Sequence, residues 1–541
     1  MKKALPIGVS DFGDMITGNG YYADKTLMIA EWLQTMNGNV TLITRPRRFG
    51  KTLNMTMLRE FFDITKDSGE LFKGLKISQT AYMQELNSRP VIFLSFKDCK
   101  KSKLSSLLCI IDVLLQAVDR LPKDISPEES DAVRLQQIRK ILLEQDIEKV
   151  DYLGRTIYLL SKCLYQYYHK KVVILIDEYD TPMISAYEQG YYEEIHDFFS
   201  SLYGSALKDN PYLERAMLTG IHRIAKENIF SGLNNLDVCT VMDEQYSQYF
   251  GLMPEETETL LAYYELPLDE SVQAMYDGYR FGGQEIYNPW SILNYARNKK
   301  KEPYWVNTAS NELLVQAMLH ADQRTKNNFE QLLARGMTMV AVDLQTSFFE
   351  MSKAATLWGL FLNSGYLTAA ETQEDNEFQT AVCIPNQEVM ISFRKIVERY
   401  GGFEDSSLDD LFGALQRKDI ADFKAVYEQI ILTCTSFHDG SGENAYHMLF
   451  LGMCVYLSSS YEIQSNVERG HGRADIVLKA KRPGRANYIF EFKQGEDIER
   501  LAKEAMEQIH EKQYYAGLSG ETILLGIAHN LKHCEIVSEI R

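Results

Sequence analysis

Residues 39–52 read Asn-Val-Thr-Leu-Ile-Thr-Arg-Pro-Arg-Arg-Phe-Gly-Lys-Thr. The first six, β-branched or apolar after Asn39, predict a short buried strand. After Gly50-Lys51-Thr52, the residues Leu53, Met57, Leu58, Phe61 and Phe62 recur at three- and four-residue spacing and predict an amphipathic helix. The order is therefore strand, tight basic loop, Gly-Lys-Thr, helix. In that context backbone N–H groups of the loop and the helix N-terminus cradle phosphates. Lys51 is expected to reach the β- and γ-phosphates of a nucleotide, and the Thr52 hydroxyl to ligate Mg²⁺. The run Arg45, Pro46, Arg47, Arg48, Phe49, Gly50, Lys51 and Thr52 as a whole is expected to hold ATP. Arg45 stands where the standard pattern has glycine, six residues before the lysine, so a wider or differently closed first turn is expected.

A second strand supports this reading. Lys171-Val-Val-Ile-Leu-Ile-Asp177-Glu178-Tyr179-Asp180 is a basic start, five apolar residues and then acids. Parallel strands buried on both faces read this way, and they deliver their last residues to the edge where α/β folds bind ligands. Asp177 is expected to hold Mg²⁺ and Glu178 to polarise the attacking water. Alone, the run equally describes any strand entering a solvated turn; with the upstream Gly-Lys-Thr it completes an ATP site. Arg215 to Gly220 predicts a third strand, with Thr219 as a γ-phosphate sensor and Arg223 as a charge stabiliser, against an ordinary strand end and a surface arginine. Pro90 to Phe96 predicts a further core strand.

Together with Pro6-Ile-Gly-Val-Ser-Asp-Phe12, Tyr22-Ala-Asp-Lys-Thr26, Phe230-Ser-Gly-Leu-Asn-Asn235, Tyr276-Asp-Gly-Tyr279, Tyr287-Asn-Pro-Trp-Ser291 and Tyr304-Trp-Val-Asn-Thr308, these motifs resemble the AAA-ATPase-like family of bacterial P-loop proteins along almost the whole chain. The resemblance implies an α/β fold in three parts. These are a RecA-type parallel-sheet domain at 1–245, a mainly helical, winged-helix-like middle region at 246–425 and an α/β PD-(D/E)XK nuclease-like domain at 426–541. It also makes Arg45 a usual feature of the loop. Glu255 to Leu261 has a helical pattern; the Tyr276–Tyr279 and Tyr287–Ser291 clusters read best as core and loop packing.

A second chemical signal lies near the end. Gly472 to Leu478 predicts a strand carrying Asp475; a basic turn, Lys479 to Arg485, leads to a strand Tyr488-Ile-Phe-Glu-Phe-Lys493. Alternation puts Glu491 and Lys493 on one face and Phe490 and Phe492 on the other. A hairpin would gather Asp475, Glu491 and Lys493, the set phosphodiester hydrolysis needs: two carboxylates for Mg²⁺ or Mn²⁺ and a lysine to orient water or stabilise charge. This D…ExK pattern resembles the PD-(D/E)XK core. Glu443 matches the acid often given by its first helix, and Gln508, on a helix expected over 504–515, is a plausible helper. The competing reading keeps Glu491 and Lys493 as a solvated ion pair.

Composition bounds the rest. A chain of 541 residues exceeds one compact core. At 45% hydrophobic, 24% charged and 13 prolines, with no apolar run of membrane-spanning length, it reads as a folded, cytoplasmic protein without a secretory signal. Its eight cysteines form no CxxC pair and are expected to be reduced. The net charge of −18 opposes general electrostatic coating by nucleic acid but permits a local basic groove. Residues 468–493 offer one, with Arg469, Arg473, Lys479, Lys481, Arg482, Arg485 and Lys493 against Glu468, Asp475 and Glu491. The reading is an ATPase–nuclease fusion in which ATP state controls cleavage of nucleic acid, DNA favoured over RNA; oligomerisation is left open. Two alternatives stand beside it: an ATP-dependent switch whose nuclease-like domain only binds nucleic acid or a protein, and a signalling ATPase with a docking module.

Overall fold

The computed structural model describes residues 2–35, 39–224, 235–305, 324–325, 328–329, 331–332, 336–346, 353–371, 378–391, 405–433, 450, 453–457, 460–530 and 533–541. The chain divides into two compact units, one of residues 1–309 and 342–369 and one of 310–341 and 370–541. Residues between 246 and 425 are shared between them.

The first unit is built on a five-stranded parallel sheet. Its strands are β1 (Val40–Thr44), β2 (Val91–Ser95), β3 (Val172–Asp177), β4 (Leu213–Gly220) and β5 (Leu236–Cys239), in the order β2-β3-β4-β1-β5. β1 and β3 are buried at every position, which explains their unbroken apolar sequence. Leu42, Ile174, Ile176 and Leu218 pack with Ile110, Leu114, Leu160, Phe199 and Leu202 from helices Lys103–Asp119, Thr156–Tyr168 and Tyr192–Leu207. Register aligns Thr44 with Gly220 and Ser95 with Asp177, so the carboxyl ends of four strands meet at one edge. Helix α1 (Lys51–Phe62) starts from that edge, after Gly50 in the left-handed region at φ 86°.

Helices Pro254–Tyr263, Glu270–Tyr276 and Ala354–Ser364 belong to the same unit, as does α2 (Pro289–Asn298). α2 begins where it does because Asn288 caps it, its Oδ1 accepting from the N–H groups of Trp290 (2.9 Å) and Ser291 (3.3 Å), with Pro289 in the first turn. Cys99 and Cys109 are joined by a disulfide, their Cα atoms 5.1 Å apart. This corrects the expectation that every cysteine is reduced: the turn from β2 into helix Lys103–Asp119 brings the two side chains together.

The second unit carries a mixed sheet of β6 (Tyr461–Arg469), β7 (Gly472–Ala480), β8 (Asn487–Gln494), β9 (Thr522–His529) and β10 (Cys534–Ile540) in sequential order. Only β8–β9 is parallel. One face, with Ile476, Leu478, Phe490, Phe492 and Leu525, packs on Leu411, Phe412, Phe423 and Tyr427 from α3 (Asp405–Gln416) and α4 (Ile420–Thr433). The other, with Val477, Ile489 and Leu524, packs on Met506 and Ile509 of α5 (Ile498–Lys512). α5 approaches β9 so closely that a Cβ on Gly526 would lie 2.5 Å from the Ala502 carbonyl oxygen. α5 starts six residues before the expected helix because Asp497 caps it, accepting from Arg500 N–H at 3.2 Å; it stops at Gln513, which turns left-handed at φ 53°. The architecture is thus the expected α/β one: a parallel-sheet domain, a helical middle region and a C-terminal mixed-sheet α/β domain.

Candidate functional site

The loop between β1 and α1 divides its side chains between core and cleft. Arg45 is wholly buried. Its guanidinium donates to the carbonyls of Thr44 (2.9 Å), Cys239 (3.1 Å) and Gln245 (3.4 Å) and lies over the rings of Phe250 and Phe281. Burial lowers its pKa to about 10, which leaves it a cation at neutral pH. Arg45 therefore ties the end of β1 to the end of β5, and what it presents to the loop is its carbonyl. Phe49 is buried against Tyr279 and Phe281. Trp305 Nε1 donates to the Arg47 carbonyl at 3.3 Å, and Arg48, at φ 71°, places its guanidinium 4.2 Å from the Trp290 ring centroid. Lys51 is 4% exposed; its Nζ donates to the carbonyls of Arg45 and Pro46, each at 3.0 Å, and sits 3.8 Å from Glu178 Oε1.

Asp177 receives the Thr52 hydroxyl on Oδ2 (2.8 Å), the Thr219 hydroxyl on Oδ1 (2.7 Å) and, more weakly, Ser95 (3.4 Å). Burial raises its pKa and the Glu178 charge adds to this, while the two threonine hydroxyls and Lys51 oppose it. A cation shared by Thr52 and Asp177 would relieve that penalty. Glu178 itself stands at φ 53° and accepts from the Thr181 hydroxyl at 3.0 Å.

The next two residues form a latch. Asp180 is fully buried and accepts from Ile221 N–H (2.9 Å) and His222 N–H (2.8 Å); its other oxygen, Oδ1, has no hydrogen-bond partner among the described residues. Burial, reinforced by the Glu178 charge, raises its pKa to about 7. The Tyr179 hydroxyl donates to the His222 carbonyl at 2.7 Å and accepts from Ile224 N–H at 3.0 Å. A Cβ on Gly220 would lie 2.6 Å from Asp180 Oδ1 and 2.7 Å from Tyr179 Cε1. Gly220→Ala is accordingly expected to destabilise the protein by about 1–3 kcal/mol, as overpacking does. Thermal unfolding of the variant checks this; an unchanged midpoint would contradict so tight a latch.

Lys51, Thr52 and Glu178 border a cleft of about 410 Å³. Arg47, Arg48, Lys51, Lys97 and Lys100 give it positive charge against Glu178, and Pro6, Val9, Met15, Pro289, Trp290 and Leu293 give it an apolar wall. Lys97 and Lys100 were not singled out from the sequence, though the basic run after the β2 apolar stretch carried the signal. Trp290, read there as packing, lines the cleft. Arg45, Phe49, Asp177 and Thr219 do not line it, and neither does Arg223, which pairs in a two-residue strand with Gln345.

In the second unit Asp475, Glu491, Lys493 and Gln508 converge. Asp475 Oδ2 accepts from Phe492 N–H at 2.8 Å. Lys493 Nζ lies 3.4 Å from Glu491 Oε1, which also accepts from the Gln508 amide. Gln508 donates in turn to the Tyr514 hydroxyl at 3.0 Å, a neighbour that sequence reasoning missed. Glu491 is 2% exposed, and among the described residues its Oε2 has no hydrogen-bond partner. Burial, then the Asp475 charge, pushes its pKa to about 8, against the pull of Lys493. Two carboxylates close together, one with an unpartnered buried oxygen, suit a divalent cation that keeps several waters. Among the described residues no set of three or more His, Cys, Asp or Glu gathers into a metal cage. Glu443, the remaining expected acid, lies outside the described residues.

Among the described residues no helix is long and apolar enough to cross a membrane. Residues 6–230 match the family model described as a predicted AAA-ATPase, and residues 441–539 match that of the PD-(D/E)XK nuclease superfamily. A relative from Azotobacter chroococcum mcd 1, described as an uncharacterized protein in the vnfD 5' region, is 26% identical over 540 residues, covering 95% of this chain and 93% of its own. Domains of these two types generally use a nucleotide and a divalent metal. The chain thus joins a predicted AAA-ATPase domain to a C-terminal domain of the PD-(D/E)XK nuclease superfamily.

Proposed function

We propose that this protein binds and hydrolyses ATP in its first unit and cleaves nucleic acid, DNA before RNA, with Mg²⁺ or Mn²⁺ in its second, the nucleotide state controlling cleavage. The observation that carries the nuclease half is Glu491, a buried carboxylate beside Asp475 whose Oε2 has no hydrogen-bond partner among the described residues.

In the first unit, the phosphates of ATP take over the donors that Lys51 now spends on two loop carbonyls. Arg47, Arg48, Lys97 and Lys100 balance the polyphosphate charge, and the apolar wall around Trp290 receives the base. Thr52 and Asp177 hold Mg²⁺, Glu178 orients the attacking water, and Thr219 keeps Asp177 in place. Arg45 acts from beneath, fixing the loop rather than touching nucleotide.

In the second unit, Asp475 and Glu491 hold the metal, which when bound supplies Lewis-acid polarisation of the phosphate and a more acidic water. Gln508 fixes Glu491 by one oxygen and leaves the other for the cation. The Lys493 ammonium is placed to stabilise charge developing on the phosphate.

Mn²⁺ titration of the nucleotide-free protein and of Asp475→Ala separates this from a domain that only binds a partner. The variant is expected to lose more than about tenfold in affinity. Equal, negligible affinity in both would favour the non-catalytic module.

A further inference from the structure

The strands that carry the metal-site carboxylates continue into a turn that the chemistry so far leaves unused. β7 and β8 pair from Ile476↔Phe490 to Leu478↔Tyr488, and residues 479–485, Lys-Ala-Lys-Arg-Pro-Gly-Arg, close the hairpin without a single acid. Lys479, Lys481, Arg482 and Arg485 are exposed. The base of the turn is fixed: Ala480 N–H donates to Asn487 Oδ1 (3.0 Å), and Lys481 N–H to the Ser460 carbonyl (3.0 Å). Its apex is open; Gly484, at φ 87°, has nothing within 4 Å of where a Cβ would stand. Among the described residues Glu462 lies 3.4 Å from Lys479, and Arg485 lies 6.0 Å from the Tyr461 ring centroid. So concentrated a charge persists on a chain of net charge −18.

Strand geometry fixes where this charge sits relative to the carboxylates. Asp475 and Lys479 are four residues apart on one face of β7, about 13 Å, and Lys481 is about 20 Å from Asp475 along the strand. Along a nucleic-acid strand that separation is about four to six nucleotides.

We propose that the 479–485 turn is a second anchor for nucleic acid. It grips backbone phosphates about four to six nucleotides from the phosphate held at Asp475 and Glu491, and so sets substrate length and affinity without reading sequence. The proposal rests on the nuclease reading of that site.

The test uses the full chain and a labelled DNA duplex of about 20 base pairs, long enough to reach both points. Binding without metal is followed across a salt series for wild type, for Lys481→Glu/Arg482→Glu/Arg485→Glu, and for a charge-matched control at another exposed basic run, Lys299→Glu/Lys300→Glu/Lys301→Glu. The turn variant is expected to bind more than tenfold more weakly at about 50 mM salt, with a log–log salt slope shallower by about 2–3; the control is expected to retain most of the affinity. Its Mn²⁺ affinity should equal wild type, because the turn holds no metal ligand. An RNA duplex of the same length tells which nucleic acid the turn prefers; tighter RNA binding lost in the same variant also supports the anchor. Wild-type affinity and slope in the turn variant, or an equal loss in the control, overturn the proposal. Mn²⁺ binding without affinity of wild type for either duplex at low salt also overturns it while leaving the metal site standing; loss of both removes the nuclease reading as well.

Discussion

Lys51→Ala is expected to lower ATP affinity and hydrolysis by at least about a hundredfold, the scale of removing one placed donor from a phosphoryl site. The Lys51 ammonium is nearly buried, held by two loop carbonyls and 3.8 Å from Glu178. Alanine takes away the buried cation closest to Glu178 and leaves Arg48 to offset that carboxylate from the loop. A phosphate brought into that space would then meet a carboxylate that has lost its nearest cation. Equilibrium binding of ATP and release of inorganic phosphate measure the two effects. Unchanged affinity would mean that the cleft around Arg47 and Trp290 holds something other than a nucleotide.

Glu491→Gln is expected to abolish cleavage and metal binding and yet to stabilise the metal-free protein. Burial and the Asp475 charge push Glu491 up to about 8 in the folded chain, from the ordinary carboxylate value of 4.5. Between these values the folded state binds more protons than the unfolded one, so metal-free stability falls as pH rises through that window. The neutral amide removes this pH dependence. Above about pH 8 the variant should therefore be more stable than wild type in chelator, by on the order of one to a few kcal/mol, and unfold at a higher temperature. Adding Mn²⁺ should raise the wild-type midpoint and leave the variant's in place. Thermal unfolding across pH, with chelator and with Mn²⁺, reads both. A variant less stable than wild type at every pH would mean that Glu491 is ionised and paired without metal.

Much of this was legible because local physics dominates at those residues. β3 reads as five apolar residues and an acid since a central parallel strand is buried on both faces and emerges at the ligand edge. Glu491 and Lys493 flank Phe492 because β8 has one helix-covered apolar face and one face turned to α5. Other features depend on contacts between residues far apart in sequence. Arg45 looked like a phosphate ligand, yet besides the Thr44 carbonyl its guanidinium finds two carbonyls and two rings contributed from residues 239–281. The Asp180 latch needs the chain at 220–222 brought under β3, and Gly220 gives no sequence sign that it must lack a side chain. Trp290 looked like core packing because only the folded loop sets Arg48 over its ring.

The most direct test of the central claim is cleavage of single- and double-stranded DNA and RNA with Mn²⁺ or Mg²⁺, with and without ATP. It is run for wild type, Lys51→Ala and Glu491→Ala/Lys493→Ala. Wild type is expected to cleave, the double variant to be inactive, and Lys51→Ala to lose the response to ATP while retaining metal-dependent cleavage. Full cleavage by the double variant, or none by wild type under any condition while ATP is still hydrolysed, would contradict an ATP-controlled nuclease.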